Sequence, residues 1–238
     1  MQVMAKVRPV EQTVARLVLY RFLAQSFNYP QADLVDVLTA ERVWDELLAT
    51  DEALDLNAGR CLEEMRDWLH GYVDDGERLL LDLQIEHTHL FITARPHVPA
   101  PPYESAYRDG GLLMGESVSQ VLEAYRRAGL AMHRDYDALP DHVAAELEFV
   151  SYLVQKEAEV LDLSDQAGVA TWQDSQRRFL EAHLLRWGPA LLDRIVTAAR
   201  LPFYHLLATL AGAFFSTERH LFVLTNAHRA GNEEENHG

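Results

Sequence analysis

Residues 139–161, LPDHVAAELEFVSYLVQKEAEVL, decide the fold that the sequence predicts. Apolar residues recur in this stretch at spacings of four and three, which is the period of an α-helix with one buried face. They are Val143, Leu147, Val150 and Val154. Pro140 suits the first helical position, where its missing N–H leaves no hydrogen bond unmade. We therefore expect a long helix that packs one side against a core.

Polar residues stand beside this apolar stripe. His142 and Glu146 are four residues apart, so they lie on one helical face, and Asp141 precedes them in the first turn. An Asp-His pair at the start of a buried helix can form one wall of a binding site. The same residues can equally be a cap and a local pair at the edge of the core, and taken alone they leave both interpretations open.

The helical period recurs along most of the remaining chain. It predicts further helices at 10–27, 33–49, 57–73, 77–92, 116–128, 168–187, 190–199 and 202–224. The alternation of apolar and polar residues that indicates strands does not occur in the sequence. We predict an all-α fold, a single-domain bundle of about nine to ten helices over residues 1–229, followed by a disordered acidic tail at residues 230–238.

Composition narrows the classes of function. The 238 residues include 37 acidic and 21 basic side chains, a formal net charge of -16, so nucleic acid is not an expected partner. No run of about 18 apolar residues occurs and the N-terminus lacks the apolar segment of a secretory signal, so we expect a cytoplasmic protein without stable membrane insertion. The single cysteine, Cys61, excludes an intramolecular disulfide and a multi-cysteine metal site within one chain.

A segment of a different kind follows the helix predicted at 77–92. Residues 93–111, TARPHVPAPPYESAYRDGG, contain four prolines together with Tyr103 and Tyr107. Aromatic side chains need a surface on which to pack, and a loop of this length inside a compact domain is usually functional. We predict an ordered binding loop. The alternative is a crossover connection between two halves of the bundle, which does not exclude binding.

Taken in order, four parts of the chain resemble the TorD/DmsD family of molybdoenzyme chaperones, also called redox-enzyme maturation proteins. They are LQIEHTHLFI, PPYESAYRDGGLLMGES, YRRAGL with LPDHVAAELEFVSYL, and RRFLEAHLLRWGPAL with FYHLLATLAGAFF, and they span most of residues 79 to 215. The resemblance implies an all-helical single domain that binds the N-terminal twin-arginine signal peptide of a molybdoenzyme catalytic subunit. It also implies that the chaperone holds this client in the cytoplasm for molybdopterin cofactor insertion before export.

The resemblance also indicates which residues bind the peptide. Asp141 and His142 match the family's Asp-His pair, Pro102 and Tyr103 its Pro-aromatic pair, and Gly115 the glycine before its acidic-Ser step. Two guanidiniums followed by an apolar run need carboxylates beside an apolar groove. Besides Asp141, the candidate carboxylates, groove walls and adjoining residues are Glu104, Glu146, Leu90, Phe91, Tyr107, Ser105 and His87, with Pro102 and Tyr103 also serving as walls.

His87 and His89 depart from the family's pattern, in which an aromatic residue and then an arginine precede Leu-Phe. This departure leaves the apolarity of that end of the groove open and can indicate a different client. The chain has no GxxxxGK[ST] phosphate-binding loop, and we predict no cofactor.

Two other functions stay open. One is an assembly factor for a non-exported, nitrate-reductase-type molybdoenzyme. The other is a helical di-metal enzyme, built on Glu86-x-x-His89 with His142 and Glu146. Because a di-iron bundle needs two Glu-x-x-His motifs and only one is evident, we predict that the chain is not an enzyme. We expect a monomer, or a dimer that exchanges its late helices.

Overall fold

The computed structural model describes residues 10–108, 110, 115–133 and 138–235, and the side chains as far as residue 221. Within these residues the chain forms eleven α-helices and no strand, which confirms the all-α class. In chain order they are α1 Val10–Phe27, α2 Ala32–Thr39, α3 Glu41–Leu54, α4 Gly59–His70, α5 Gly76–His87, α6 Ser105–Arg108, α7 Glu116–Arg127, α8 Val143–Asp162, α9 Gln166–Ala182, α10 Leu184–Ala198 and α11 Pro202–Glu235. A π-helical turn, Thr88–Ile92, continues α5.

The helix α8 is central. It packs against α1 on one side and against α9 on the other, and α10 also reaches it. All four residues of the predicted apolar stripe are fully buried, as the helical period requires. This part of the prediction is confirmed, and the core is built around α8.

The start of α8 differs from the prediction. The helix begins at Val143, while Pro140 and Asp141 form a turn before it. His142 is the N-cap, and its Nδ1 accepts a hydrogen bond from the backbone N–H of Ala144 at 3.1 Å. The placement of Pro140 at the first helical position is wrong, because the imidazole supplies the acceptor that a helix start needs.

A predicted helix is also divided. The segment at 33–49 forms α2 and α3, which are separated at Ala40, where the backbone is extended with φ −85° and ψ 110°. This division and the short α6 within the loop raise the number of α-helices above the predicted nine to ten.

The break predicted at Gly188-Pro189 lies instead at His183, and Pro189 is inside α10. Proline has no N–H, so the carbonyl of Leu185, four residues earlier, lacks its helical partner. The guanidinium of Arg219 on α11 donates to that carbonyl. A residue distant in sequence thus compensates for the proline.

The last helix, α11, is described to Glu235, which includes most of the segment predicted as a disordered tail. Residues 1–9, at the start of the predicted domain, and residues 236–238, at the end of the predicted tail, lie outside the described residues. The predicted boundary between the domain and the tail, after residue 229, stays a prediction. Among the described helices, none combines the length and the apolarity needed to cross a membrane.

A buried ionic cluster joins four helices inside the core. Arg16 of α1 donates to Glu218 of α11 at 2.6 Å, to Gln176 of α9 at 2.9 Å and to Glu157 of α8 at 3.3 Å. All four side chains are fully buried. Burial alone would lower the pKa of Arg16, but the negative charges of Glu218 and Glu157 raise it overall.

Candidate functional site

The loop that follows α5 docks on the start of α8. Residues 102–104 pair with residues 141–143 through two backbone hydrogen bonds, of 2.9 and 3.0 Å, and Tyr103 and His142 form an antiparallel bridge. The Tyr103 and His142 rings meet edge to face with their centroids 5.2 Å apart. The two motifs that were matched separately in the sequence therefore lie in contact, and together they form the loop–α8 junction.

Asp141 holds this junction together from inside. Its side chain is fully buried, and Oδ2 accepts a hydrogen bond from the backbone N–H of Ser105 at 2.9 Å. Ser105 is the first residue of α6, so its N–H has no acceptor within that helix. In this conformation Asp141 supports the loop and does not present its carboxylate to a guanidinium in an open groove.

We expect Asp141→Ala to lower the free energy of unfolding by about 1–3 kcal/mol, because the buried N–H of Ser105 loses its charged acceptor. Urea denaturation measures this loss. Asp193→Ala, which removes an exposed carboxylate from α10, is the matched control and should change stability by less than about 0.5 kcal/mol. Equal losses in the two variants would contradict the supporting role of Asp141.

Glu104 fastens the same loop to the turn between α9 and α10. The carboxylate is fully buried, and its Oε2 lies 2.9 Å from Nδ1 of His183. Its Oε1 accepts a hydrogen bond from the guanidinium of Arg108, which also donates to the carbonyl of Ala182 at 2.8 Å. Glu104 is therefore internally paired and, like Asp141, is not open to a client.

Glu146 completes a pair of buried carboxyl groups. The Nε1–H of Trp187 lies 3.1 Å from one of its oxygens and 3.2 Å from the other. Burial raises the pKa of Glu146 well above its usual value, and the nearby charge of Glu104 raises it further. The negative charges of Glu104 and, to a smaller extent, Asp141 thus favour the protonated form of the buried Glu146 carboxyl group.

The candidates His87, Leu90 and Phe91 lie on the buried face of α5 and its π-helical turn. The His87 ring is 4.7 Å from Phe91 and 5.3 Å from Tyr29. Burial lowers the pKa of His87 to about 4 and the pKa of His142 to about 3, so both rings are neutral at neutral pH. His87 therefore packs as an aromatic ring, and its place among aromatic side chains accounts for the departure seen in the sequence.

The remaining candidates are more scattered. Tyr107 packs on Trp187 with ring centroids 5.3 Å apart, and the guanidinium of Arg194 lies 4.7 Å from the Tyr107 ring centroid. Gly115 is the N-cap residue of α7 and, among the contacts described, does not join the loop–α8 junction. Sequence reasoning missed Trp187 and His183, although both lie in the late segment that resembles the family.

An apolar groove does occur, but in another place. It has a volume of about 540 Å³ between α7 and α9, and Phe149, Leu153 and Phe179 contribute to its lining. None of the predicted wall residues Leu90, Phe91, Pro102, Tyr103 and Tyr107 lines this groove. The expected groove walls are instead packed into the core or into the loop–α8 junction.

Glu86, which the di-metal alternative uses as a ligand, accepts backbone hydrogen bonds instead. Its Oε1 lies 2.5 Å from the N of Arg200 and 3.3 Å from the N of Leu201, so it joins α5 to the turn before α11. In the part of the chain that the structure describes, no group of three or more His, Cys, Asp and Glu side chains is placed to hold a metal ion.

Known proteins resemble this chain over most of its length. The family model for the nitrate reductase delta subunit matches residues 51–193. The chaperone protein TorD of Vibrio cholerae serotype O1 (strain M66-2) is 27% identical over 208 residues, which cover 86% of this chain and 90% of TorD. The perchlorate reductase assembly chaperone protein of Dechloromonas aromatica is 27% identical over 230 residues, which cover 93% of this chain and 97% of that protein. A crystal structure described as a redox enzyme maturation protein from Archaeoglobus fulgidus is 25% identical, with a TM-score of 0.36 over 70% of this chain and 93% of that one.

Proposed function

Because the chain belongs to the nitrate reductase delta subunit family, which includes the TorD chaperones, we propose that it is a chaperone for the maturation of a molybdoenzyme reductase. One observation carries this proposal. The match to this chain covers 90% of the TorD sequence and 97% of the perchlorate reductase assembly chaperone sequence. These relatives are chaperones and not enzymes, so this chain acts by binding a catalytic subunit and not by catalysis.

The client segment in this proposal is the N-terminal twin-arginine signal peptide of the catalytic subunit. Such a peptide carries two guanidiniums followed by an apolar run, which suits a partner with a net charge of -16 and exposed apolar positions on its helices. Binding takes place in the cytoplasm and holds the client for molybdopterin insertion before export.

The loop–α8 junction is the proposed contact point. Tyr103 and Tyr107 are only partly buried, so their rings offer apolar surface to an incoming peptide. Asp141, Glu104 and Glu146 are buried beneath them, and a client guanidinium would reach these carboxylates only if the loop moved. The accessible tyrosines therefore make the first contact, and the carboxylates keep the loop in position.

The test is titration calorimetry of the purified chain with the twin-arginine signal peptide of a molybdoenzyme from the same genome. We expect micromolar or tighter binding, about -8 kcal/mol, and weaker binding when the two arginines are replaced by alanines. Tyr103→Ala should weaken binding about tenfold without a change in far-UV circular dichroism. Tyr152→Ala is the matched control, because Tyr152 is a partly buried tyrosine ten residues beyond His142, about 15 Å along α8.

Each outcome separates one part of the proposal from another. Equal binding of the Arg-Arg and Ala-Ala peptides would show that the apolar run alone is recognised. Absence of binding by either peptide would overturn the signal-peptide function. A Tyr103→Ala variant that binds as tightly as the wild type would move the site away from the loop–α8 junction.

The description of the matching family favours a second candidate, an assembly factor for a non-exported nitrate-reductase-type molybdoenzyme. Such a client has an N-terminal segment without the arginine pair. Calorimetry with that segment distinguishes the two candidates, because only the second predicts that it binds more tightly than the twin-arginine peptide. The oligomeric state, a monomer or a dimer with exchanged helices, stays a prediction.

A further inference from the structure

The face of α5 that points away from the core is unusually apolar. Leu81 is 55% exposed, Ile85 60% and Ile92 54%, and Val73, just before α5, is 64% exposed. Single exposed aliphatic residues are normal on a protein surface, but these share one helix and its π-helical extension. The opposite face of the same helix carries the buried residues Leu83 and His87.

These side chains form a line and not a scatter. Leu81 and Ile85 are separated by about one turn of α5, about 40° apart at 100° per residue and about 6 Å along the axis, and Ile92 follows on the wider π-helical turn. The line ends where the loop toward Pro102 and Tyr103 begins. An apolar helical segment of a partner could therefore lie along it.

The beginning of the line is acidic. Asp74 and Glu77 are exposed, and neither has an ion-pair partner among the described residues. Asp75 accepts a hydrogen bond from the backbone N–H of Arg78, and the Arg78 guanidinium lies 3.7 Å from Asp82. The charge of Arg78 is therefore matched locally, and two carboxylates remain open at the N-terminal end of α5.

We propose that this α5 face, defined by Leu81, Ile85 and Ile92 with Asp74 and Glu77 at its start, receives the client's signal peptide. The inference rests on the proposed function for the nature of the peptide. The arginine pair lies against Asp74 and Glu77, and the apolar run follows the line toward Ile92, parallel to α5. The order of charge and apolar surface along the helix matches the order within the peptide.

Charge decides between this occupant and a second copy of the chain. Two copies that met through the α5 face would bring two net charges of -16 together, which like-charge repulsion opposes. A peptide whose basic end precedes an apolar run would contact the carboxylates with its basic end and the exposed aliphatic side chains with its apolar run. The α5 face thus fits a basic and apolar client segment.

The experiment compares Leu81→Gln/Ile85→Gln with the wild type, using the full chain and the same twin-arginine signal peptide. Glutamine keeps the helix propensity and removes the apolar contacts. We expect binding at least about tenfold weaker by calorimetry, with unchanged circular dichroism and melting temperature. Val14→Gln is the matched control, because Val14 is an aliphatic residue of α1 that is 47% exposed, and it should bind as the wild type does.

A second pair of variants tests the orientation. Asp74→Asn/Glu77→Gln should weaken binding of the Arg-Arg peptide about tenfold and leave binding of the Ala-Ala peptide unchanged, because only the Arg-Arg peptide carries guanidiniums that can pair with these two carboxylates. Equal effects on the two peptides, or none, would overturn the placement of the arginines at this end.

The remaining outcomes separate this inference from the proposed function. If the wild type binds the peptide and Leu81→Gln/Ile85→Gln binds it equally well, the α5 face is not the site, although the chaperone function stands. If the wild type binds no peptide, the proposed signal-peptide function fails and the inference fails with it. If light scattering shows a wild-type dimer that the glutamine variant dissociates, the face is an interface between copies, which also overturns the inference.

Discussion

We expect Arg16→Met to lower the free energy of unfolding by about 3–5 kcal/mol, because it removes the cation from between two buried carboxylates. Arg16 donates to Glu218 at 2.6 and 2.7 Å and to Glu157 at 3.3 Å, and all three side chains are fully buried. Methionine fills much of the same volume but removes the guanidinium that binds both carboxylates. The loss of stability therefore comes from the buried carboxylates of Glu157 and Glu218 and not from a cavity.

Urea denaturation followed by far-UV circular dichroism measures this loss. Arg21→Met is the matched control on the same helix, since within the described part of the chain the Arg21 side chain makes one exposed hydrogen bond, of 2.8 Å to Gln155, and we expect a change of about 0–1 kcal/mol. Adding Glu157→Gln and Glu218→Gln to Arg16→Met should restore part of the stability, because a neutral amide is less costly to bury than a carboxylate that has lost its guanidinium. A loss in Arg16→Met no larger than that in Arg21→Met would contradict the role of the cluster.

The position of Arg16 could be inferred from the sequence, but its partners could not. Arg16 stands three and four residues before Leu19 and Tyr20, so the helical period places it on the buried face of α1. Glu157 and Glu218 are 141 and 202 residues away. Local spacing indicates which face a residue occupies, whereas the packing of distant helices decides what it meets there.

The candidate site shows the same limit. The motifs predicted two segments with a shared role, and the structure brings Tyr103 and His142 into contact. The spacing also placed His142 and Glu146 on one helical face, yet it did not show that Trp187 covers that face and buries the carboxyl group. The structure buries the three predicted carboxylates, Glu104, Asp141 and Glu146, because burial depends on what packs above a residue, and their role in client binding stays a prediction.

The ends of helices were also predicted less accurately than their buried faces, for a related reason. Pro189 was expected to end a helix, and the local rule is sound, since proline leaves one carbonyl without its partner. Here the Leu185 carbonyl finds another donor, because Arg219, thirty-four residues after Leu185, donates to it. The long apolar stripe of α8 needed no such partner, and it was predicted correctly.

The stability of the wild type should depend on pH through Glu146. Its pKa is raised in the folded protein, mainly by burial, so the folded state binds a proton that the unfolded chain releases above about pH 4.3. The stability that this proton provides is complete below that pH and is lost as the pH rises toward the raised pKa. The slope in that window is at most about 1.4 kcal/mol per pH unit.

Glu146→Gln removes this dependence. The amide resembles the protonated carboxyl group, because its oxygen can accept from Trp187 and it places no negative charge near Glu104. We expect the variant and the wild type to have similar stability near pH 4.5, and the variant to become more stable than the wild type as the pH rises toward 8, with a slope of at most about 1.4 kcal/mol per pH unit. Urea denaturation at half-unit steps between these limits measures the difference.

Glu148→Gln is the control for this experiment, because Glu148 lies two residues further along α8 and its carboxylate is exposed. Its stability should follow the wild-type curve at every pH. Parallel curves for Glu146→Gln and the wild type would show that Glu146 is ionised in the folded protein. The negative charges of Glu104 and Glu146 would then be offset in part by Arg108, which forms an ion pair with Glu104.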